Sequence, residues 1–289
     1  MKISERLRSG HISLSYEVFP PKMGAPFEPI QTAVREIAAL SPDFISVTYG
    51  ASGGASKNTA AVASYIQNEL GITALAHLTC VSSTQEEIYA RLEELKQNHI
   101  ENVLALRGDI PADGGFPLSD HYRYASQLIR EVKSNGAFCV GAACYPEGHV
   151  ECAHKEEDIL HLKEKVDAGA QHLVSQLFFD NEDFFRFLER ARIAGITVPI
   201  EAGIMPVLNQ KSIERMVSLC GASIPRKLSR ILARYGDHPE ALREAGIAYA
   251  IDQISDLVAA GVDGIHLYTM NNPAVARQIS DSVSAIRRV

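Results

Sequence analysis

The stretch Ile12-Ser-Leu-Ser-Tyr-Glu-Val-Phe19 alternates apolar residues with small or acidic ones, and it decides the fold class. Successive side chains of a β-strand point to opposite faces, so this alternation predicts a strand with one apolar and one polar face. If the strand belongs to a closed barrel, its apolar face packs against helices and Glu17 points into the mouth. The alternative is a carboxylate on an exposed sheet edge, which a closed barrel does not have.

Seven more strand-like segments follow, and helical patterns separate them. The eight predicted strands are Ile12–Phe19, Phe44–Thr48, Thr73–His77, Val103–Leu106, Phe138–Ala142, His172–Ser175, Pro199–Ala202 and Gly264–Leu267. The predicted helices between them are Phe27–Leu40, Thr59–Leu70, Gln85–Asn98, His121–Ser134, Lys155–Ala168, Glu182–Ala194 and Gln210–Leu219. Strict alternation of strand and helix indicates parallel strands joined by crossover helices.

The number of strands distinguishes two α/β architectures. Eight strands favour a closed (β/α)8 TIM barrel over a doubly wound sheet, which would need a Gly-x-Gly-x-x-Gly turn after a strand. The glycines of Gly50-Ala-Ser-Gly-Gly54 do not have that spacing. Two further segments, Pro225–Tyr235 and Pro239–Ala260, predict extra helices between strands seven and eight. No linker-like segment divides residues 1–289, which predicts a single catalytic domain.

Composition and charge argue against several classes of function. With 46% hydrophobic and 22% charged residues, the chain has the composition of a soluble globular protein. A net charge of -7 gives no electrostatic reason to expect nucleic-acid binding, which favours a basic face. The sequence has no signal-peptide pattern and no run near the roughly 18 apolar residues of a membrane span. We therefore expect a cytoplasmic protein without a membrane partner.

The cysteines predict neither a disulfide framework nor a metal site. There are five, an odd number, and no two of them form a Cys-x-x-Cys pair. Cys139 and Cys144 lie within or beside an apolar strand, where a free cysteine usually acts as a small hydrophobic residue.

The polar residues that are best suited to catalysis or ligand binding lie at or just after the carboxyl ends of the predicted strands. They are Glu17, Thr48, His77, Asp109, Tyr145, His149, Gln176 and Tyr268. In a (β/α)8 barrel all these ends converge on one face, where active sites are built from several strands. The pattern therefore predicts an enzyme.

Glu17 and Asp109 are the candidate catalytic residues. A carboxylic acid half-buried at a barrel mouth can donate a proton near neutrality, which suits Glu17. Asp109 ends the tripeptide Arg107-Gly-Asp109, where Gly108 would let the backbone approach a planar ligand beside two opposite charges. Because Ile-Pro follows, an ordinary turn is an equal alternative for Asp109.

Other polar residues also have structural alternatives. His77 alone would more often be a core histidine, and Tyr145 and Tyr268 would be packing residues. On one predicted helix, Asp158 and Lys165 belong to a stripe that is usually solvated. The common location of these residues at one end of the barrel favours a joint functional site.

Nine motifs, spread from the first strand to the last, form a recognisable set. They are Ser15-Tyr-Glu-Val-Phe-Pro-Pro21, Ile45-Ser-Val-Thr-Tyr-Gly50, Ala76-His-Leu-Thr-Cys80, Leu104-Ala-Leu-Arg-Gly-Asp-Ile-Pro111, Ala143-Cys-Tyr-Pro-Glu147, Lys165-Val-Asp-Ala-Gly-Ala170, Ser175-Gln-Leu-Phe-Phe-Asp180, Gly203-Ile-Met-Pro206 and Leu267-Tyr-Thr-Met-Asn271. In this combination the chain resembles the methylenetetrahydrofolate reductase family in its short bacterial form, over essentially its whole length.

The resemblance implies a flavoprotein that reduces 5,10-methylenetetrahydrofolate to 5-methyltetrahydrofolate with NADH or NADPH, in ping-pong fashion. It also implies FAD as cofactor, with FMN as the alternative, a homo-oligomer, and a place in methionine biosynthesis. In the family, the residue matching Glu17 is the general acid that helps to open the imidazolidine ring and expose a 5-iminium cation, which hydride from the flavin reduces. The residue matching Asp109 lies between flavin and folate, where its charge favours that cation.

Further site residues carry over from the family. The implied flavin contacts are Thr48, Tyr49, Ala51, His77, Arg107, Gly108, Asp109, Ala125, Tyr145, His149, Asp158 and Lys165. The implied substrate contacts are Asp109, Gln176 and Tyr268. The chain departs from the family pattern at four places, which are His161 and Glu164 near the FAD phosphates and Ser212 and Asn272 near the folate.

Two other functions stay open. The chain could be a flavin- and folate-binding subunit that receives electrons from a partner protein instead of a nicotinamide. It could also be a flavin-free barrel, such as a lyase, that uses Glu17 and Asp109 as an acid–base pair. Colourless protein that binds no added flavin would favour the lyase.

Overall fold

A computed structural model of the protein describes residues 1–49, 56–81, 83–110, 120–136 and 138–288. Eight parallel strands form a closed barrel in sequence order, which confirms the predicted (β/α)8 fold. The strands are β1 (Ser13–Val18), β2 (Phe44–Val47), β3 (Ala74–Thr79), β4 (Asn102–Leu106), β5 (Cys139–Cys144), β6 (His172–Ser175), β7 (Ile200–Ile204) and β8 (Gly264–Tyr268). The barrel closes because β1 pairs with both β2 and β8, which places Glu17 beside Ser46 and Tyr268.

Helices surround the barrel. They are α1 (Ile3–Arg6), α2 (Glu28–Ala38), α3 (Ser56–Ser64, followed by a π-helical turn at Tyr65–Glu69), α4 (Gln85–Gln97), α5 (Ala125–Ser134), α6 (Lys155–Asp167), α7 (Asn181–Ile193), α8 (Gln210–Cys220), α9 (Arg226–Tyr235), α10 (Pro239–Ala259) and α11 (Pro273–Val283), with a 3-10 turn at Ile286–Arg288. Three of these helices, α8 to α10, connect β7 to β8. Among the described residues, no helix is long and apolar enough to cross a membrane.

Two helices, α1 and α11, were missed by the sequence patterns. In α11, Val275, Ile279 and Val283 are fully buried at three- and four-residue spacing, which is a helical signal that the sequence did contain. Asn272 caps this helix by accepting a hydrogen bond from the Val275 amide at 3.2 Å. The four residues of α1 are too few for a periodic pattern to identify a helix.

The predicted start at His121 for the helix that is α5 in the structure was wrong, because α5 begins at Ala125. Tyr124 has an extended backbone, with φ -132° and ψ 150°. The side-chain oxygen of Gln127 accepts hydrogen bonds from the amides of Arg123 and Tyr124, at 2.7 and 3.0 Å. These bonds satisfy backbone donors at the start of the helix and so fix its first residue.

The floor of the barrel is closed by the N-terminal segment. Ile3 and Leu7 of this segment pack into an apolar cluster with residues from the barrel interior, such as Phe44 and Leu75. The Ile3 amide donates to the side-chain oxygen of Asn102 at 2.9 Å, which anchors α1 beneath β4. The N-terminal segment therefore covers the amino ends of the strands, and the carboxyl ends form the face where barrel enzymes bind ligands.

Candidate active site

Glu17 is the penultimate residue of β1, at the mouth of the barrel, with only 11% of its side chain exposed. Its Oε2 atom lies 3.6 Å from Nε2 of His77 and 3.7 Å from Nε2 of His266. Both separations exceed a hydrogen bond, yet both are short enough for a strong electrostatic effect. The carboxylate is therefore flanked by two imidazole rings, and His77 Nε2 has no hydrogen-bond partner among the described residues.

The loop after β8 holds the backbone around Glu17. Thr269 Oγ1 donates to the carbonyl oxygen of Glu17 at 2.6 Å. The amide side chain of Asn271 accepts from the Phe19 amide at 2.8 Å and donates to the Phe19 carbonyl at 3.0 Å. Asn271 adopts a left-handed conformation with φ 53°, which asparagine tolerates better than most residues. Sequence reasoning did not identify this clamp, because the partners are 252 residues apart.

Below Glu17, the interior of the barrel is polar and buried. Ser13 and Ser15 of β1 each donate to Oε1 of Glu201 in β7, at 2.9 and 3.0 Å. Ser15 Oγ also lies 2.7 Å from Nδ1 of His266. Sequence reasoning missed Glu201 and His266, although an ionisable residue in the middle of a short apolar strand is an available signal.

Tyr268 and Gln176 lie at the ends of β8 and of β6. The Tyr268 hydroxyl donates to the Ser175 carbonyl at 2.7 Å, and its ring meets that of His266 edge-on at 5.4 Å. Burial, followed by the charge of Glu17, raises the pKa of Tyr268 well above its usual value. Gln176 Oε1 accepts from the Leu177 amide at 2.9 Å, which commits the oxygen of this side chain to the backbone.

A cavity of about 840 Å³ opens beside the mouth, between the ends of β3 to β5 and the helices α5 and α6. The predicted flavin residues that line it are Tyr49, Arg107, Gly108, Asp109, Ala125, Tyr145, His149, Asp158 and Lys165. Thr48 and His77 lie outside the lining, and Thr48 is bonded through its amide to the Val18 carbonyl at 3.0 Å. Ala51 falls outside the described residues.

Lys165 places a half-buried amine against the cavity wall. Its Nζ donates to the Ala143 carbonyl at 2.9 Å and lies 5.5 Å from the centre of the Tyr145 ring. Burial lowers the pKa of Lys165, and the charge of Asp158 opposes that shift. Tyr145 packs edge-on against His149 with ring centres 4.7 Å apart. The side chains of α6 and of the segment after β5 thus form one packed wall.

Arg107 is held by a carboxylate that sequence reasoning did not identify. Its two terminal nitrogens donate to the oxygens of Glu151 at 2.6 and 2.7 Å. This bidentate pair raises the pKa of Arg107 and fixes the plane of the guanidinium. Gly108 follows with φ 85°, and a Cβ there would lie 3.0 Å from atoms of Thr79 and Val81. Only glycine fits this turn without strain.

The four departures from the family pattern have visible local contacts. His161 and Glu164 form an exposed pair on α6 at the cavity rim, with Nδ1 and Oε2 3.7 Å apart. Asn272 uses its side-chain oxygen to cap α11. The Ser212 amide donates to the cap of α8, the side-chain oxygen of Asn209, at 2.8 Å. Asn272 therefore has a structural role whether or not a ligand binds nearby.

The comparison with family models decides the family. The model described as methylenetetrahydrofolate reductase matches residues 2–284. This chain belongs to the methylenetetrahydrofolate reductase family. It is therefore an enzyme, an oxidoreductase of one-carbon folate metabolism.

Similar proteins span bacteria and plants. The chain is 34% identical over 270 residues to 5,10-methylenetetrahydrofolate reductase of Escherichia coli (strain K12), covering 93% of this chain and 90% of the relative. It is 35% identical to methylenetetrahydrofolate reductase (NADH) 1 of Zea mays, covering 93% of this chain but 48% of the relative. A solved structure from Clostridium thermocellum, an uncharacterized protein that binds two copies of 5-methyl-5,6,7,8-tetrahydrofolic acid, matches with a TM-score of 0.61. It is 18% identical and covers 96% of this chain and 99% of its own, a likeness that establishes the shared fold.

Proposed function

We propose that this chain reduces 5,10-methylenetetrahydrofolate to 5-methyltetrahydrofolate, with NADH or NADPH as donor and a bound flavin as carrier. The observation that supports the proposal best is on β3, where His77 faces Glu17 and Thr79, two residues later, lines the cavity. Residues two apart on a strand share a face and are about 7 Å apart, so the carboxylic acid and the cavity are neighbours. The names of the relatives provide the substrate and one of the electron donors.

The cavity suits a flavin nucleotide, and we propose FAD. Its volume lies within the roughly 300–1,000 Å³ that is usual for small-molecule sites. Lys165 and Arg107 bring cationic groups to the lining. Ala125 and Ser126, at the start of the ten-residue α5, also line it, and helix N-termini favour phosphate groups. His77 is a further proposed flavin contact, since its Nε2 has no hydrogen-bond partner among the described residues.

The protein side of the chemistry follows from this placement. A bound flavin supplies the hydride. Glu17 holds a proton and donates it to a ring nitrogen of the substrate, so that the imidazolidine ring opens to a 5-iminium cation. Asp109, on the cavity wall, presents a negative charge that stabilises this cation. Tyr268 and Gln176 would position the pterin. The nicotinamide and the folate would bind in turn at the same site, which would give ping-pong kinetics.

An anaerobic visible spectrum tests the overall reaction. The purified protein is measured as isolated, after NADH or NADPH, and again after methylenetetrahydrofolate. We expect a flavin band that bleaches with the nicotinamide and returns with the folate. A flavin band that neither nucleotide bleaches would support a subunit that receives electrons from a partner protein. If no flavin band appears even after reconstitution, the proposal fails and a lyase becomes the better candidate.

Glu17→Gln tests the role of the acid. We expect reduction of the flavin by the nicotinamide to be largely unchanged, because that half-reaction requires no proton from Glu17. Reduction of the folate should fall by about 10²–10⁴, the usual contribution of general acid catalysis. The nicotinamide half-reaction serves as the internal control, and equal losses in both would contradict the assigned role.

A further inference from the structure

The interior of the barrel holds a second carboxylate, Glu201, that the proposed mechanism does not use. It lies on β7 with no exposed surface. We propose that Glu201 is a positioning residue that exchanges a proton with Glu17 through Ser15 and His266. This inference rests on the proposed function, because it assumes that Glu17 gives up one proton in each turnover.

A line of polar atoms joins the two carboxylates. Ser15 Oγ lies 3.0 Å from Oε1 of Glu201 and 2.7 Å from Nδ1 of His266. On the opposite side of the imidazole, His266 Nε2 is 3.7 Å from Oε2 of Glu17. The path therefore crosses one hydroxyl and one ring, and its members come from β7, β1 and β8.

The last separation is the one that must change during proton transfer. It is about 0.8 Å longer than a good hydrogen bond, and catalytic contacts often tighten only when substrate binds. Ser46 Oγ also lies near His266 Nε2, at 3.4 Å, and this longer contact competes weakly. The carbonyl of Ile265 lies 3.4 Å from Ser15 Oγ, so it competes weakly at the other end of the path.

The surroundings of Glu201 allow it to hold a proton. Its Oε1 accepts from Ser13 and Ser15, whereas Oε2 has no hydrogen-bond partner among the described residues. Burial raises the pKa of Glu201 to about 7, while the hydrogen bonds from Ser13 and Ser15 oppose the shift and the charge of Asp43 adds to it. Both protonation states of Glu201 are therefore accessible near neutral pH.

Two further neighbours complete this environment. His172, on β6, is neutral at these pH values because burial lowers its pKa to about 3. Gly264, on β8, leaves room for the carboxyl group, since a Cβ there would lie 2.1 Å from Ser13 Oγ and 3.1 Å from Glu201 Oε1. No cation from β6 therefore pairs with Glu201, and the glycine keeps the two hydroxyl contacts intact.

The protonation state of Glu201 selects the tautomer of His266. When Glu201 is ionised, Ser15 donates to it, so His266 donates from Nδ1 and presents a bare Nε2 to Glu17. When Glu201 is neutral, it can donate to Ser15, and Ser15 then donates to Nδ1. His266 in that state presents Nε2–H to the Glu17 carboxylate and can return a proton to it.

The resupply step moves one proton and no electrons. The O–H bond of Glu201 breaks and an O–H bond forms on Glu17, while Ser15 and His266 each receive one proton and pass one on. The result is an ionised Glu201 and a neutral Glu17. After product leaves, Glu17 can take a proton from water at the open mouth and return it to Glu201 by the same path. Glu201 then acts as a proton store while the mouth is occupied.

Stopped-flow measurement of the two half-reactions across pH tests this role. Glu201→Gln keeps the size and an accepting oxygen of the side chain but cannot release a proton. In the parent protein, we expect the rate of the folate half-reaction to fall as pH rises through 7. In Glu201→Gln, this fall should disappear and the folate half-reaction should be slower by up to about 10², while flavin reduction should be unchanged. Glu201→Asp should restore that pH dependence. Equal losses in both half-reactions, or an unchanged pH profile, would overturn the proposal.

Two serines provide a matched pair of controls. Both donate to Glu201 Oε1, yet Ser15 alone of the two also contacts His266. Ser15→Ala should therefore abolish the pH-dependent step, as Glu201→Gln does. Ser13→Ala should retain the step and move its midpoint upward, because the anion loses one donor. The same profile in both serine variants would show that the path does not run through Ser15.

A readout without turnover separates this proposal from the proposed function. The ¹⁵N shifts of the His266 ring, assigned with His266→Gln, report which nitrogen carries the proton. We expect the tautomer to change near pH 7 in the ligand-free protein and to stay constant in Glu201→Gln. A tautomer that does not respond to Glu201 would overturn the proposal even in an active reductase. If the tautomer responds but the protein reduces no folate, the coupling stands and the proposed function fails.

Discussion

The Tyr268 hydroxyl donates a 2.7 Å hydrogen bond to the Ser175 carbonyl and so joins β8 to β6 across β7. Gly203, on β7, makes this contact possible. A Cβ there would lie 2.3 Å from the Ser175 carbonyl oxygen and 2.8 Å from the Tyr268 hydroxyl. The predicted substrate-binding tyrosine is thus fixed in place by a residue with no side chain.

Gly203→Ala should destabilise the barrel and weaken substrate binding. The methyl group would force the Ser175 backbone and Tyr268 apart, and overpacking of this kind typically costs about 1–3 kcal/mol. Urea unfolding and the KM for the folate would measure the two effects. Tyr268→Phe is the matched control, because it removes the hydrogen bond without adding volume and should cost about 1 kcal/mol. Equal stability losses in the two variants would contradict the steric explanation.

Lys165→Met should weaken flavin binding by about tenfold or more, since it removes a cation from the cavity wall. Methionine keeps much of the apolar volume of the half-buried lysine side chain. Lys163→Met is the control, because Lys163 lies on the same helix, outside the cavity lining, and pairs with Asp167. Titration of apoprotein with FAD, followed by flavin fluorescence, would compare the two. The thermal stabilities of the two variants are compared first, so that a loss of folding is not mistaken for weaker binding. Equal FAD affinity in the two variants would contradict a role for Lys165.

Asn271→Gly should slow the folate half-reaction while leaving flavin reduction intact. The substitution keeps the left-handed backbone but removes both hydrogen bonds to Phe19, two residues beyond Glu17. Asn272→Ala is the adjacent control, because it removes the cap of α11 and should cost about 1 kcal/mol of stability alone. Single-turnover rates of the two half-reactions, measured in both variants, would test this prediction. The prediction fails if both variants slow the folate step equally.

His172 should make the protein less stable in mild acid. Burial lowers its pKa to about 3, so below pH 6.5 the unfolded chain binds a proton that the folded chain does not. The free energy of unfolding therefore has its full value above pH 6.5, as far as His172 is concerned, and it falls as the pH falls below 6.5. When the pH is lowered from 7.5 to 5, the free energy of unfolding of His172→Gln should fall by about 2 kcal/mol less than that of the parent protein. Urea unfolding at the two pH values would measure this, with the exposed His238→Gln as a control expected to behave like the parent.

Local pattern predicted the eight strands because each is a short apolar run bounded by turn residues. The strand His172–Ser175 has the predicted limits, and others differ by one or two residues at their ends, as in Ala74–Thr79. Strand ends depend on pairing with a neighbour, which local composition does not encode. The start of α5 was misplaced for a similar reason, since a side chain four residues away caps Arg123.

The sequence alone determined the barrel, the family, and which end of the strands carries the chemistry, because alternation, glycine turns and motifs are local signals. The tertiary structure decided what surrounds Glu17. His77, His266 and Glu201 lie on three different strands, and barrel closure brings them together around Glu17 and Ser15. The pairing of Arg107 with Glu151 likewise joins residues 44 positions apart. Contacts between distant residues depend on strand register and side-chain packing, which no local pattern contains.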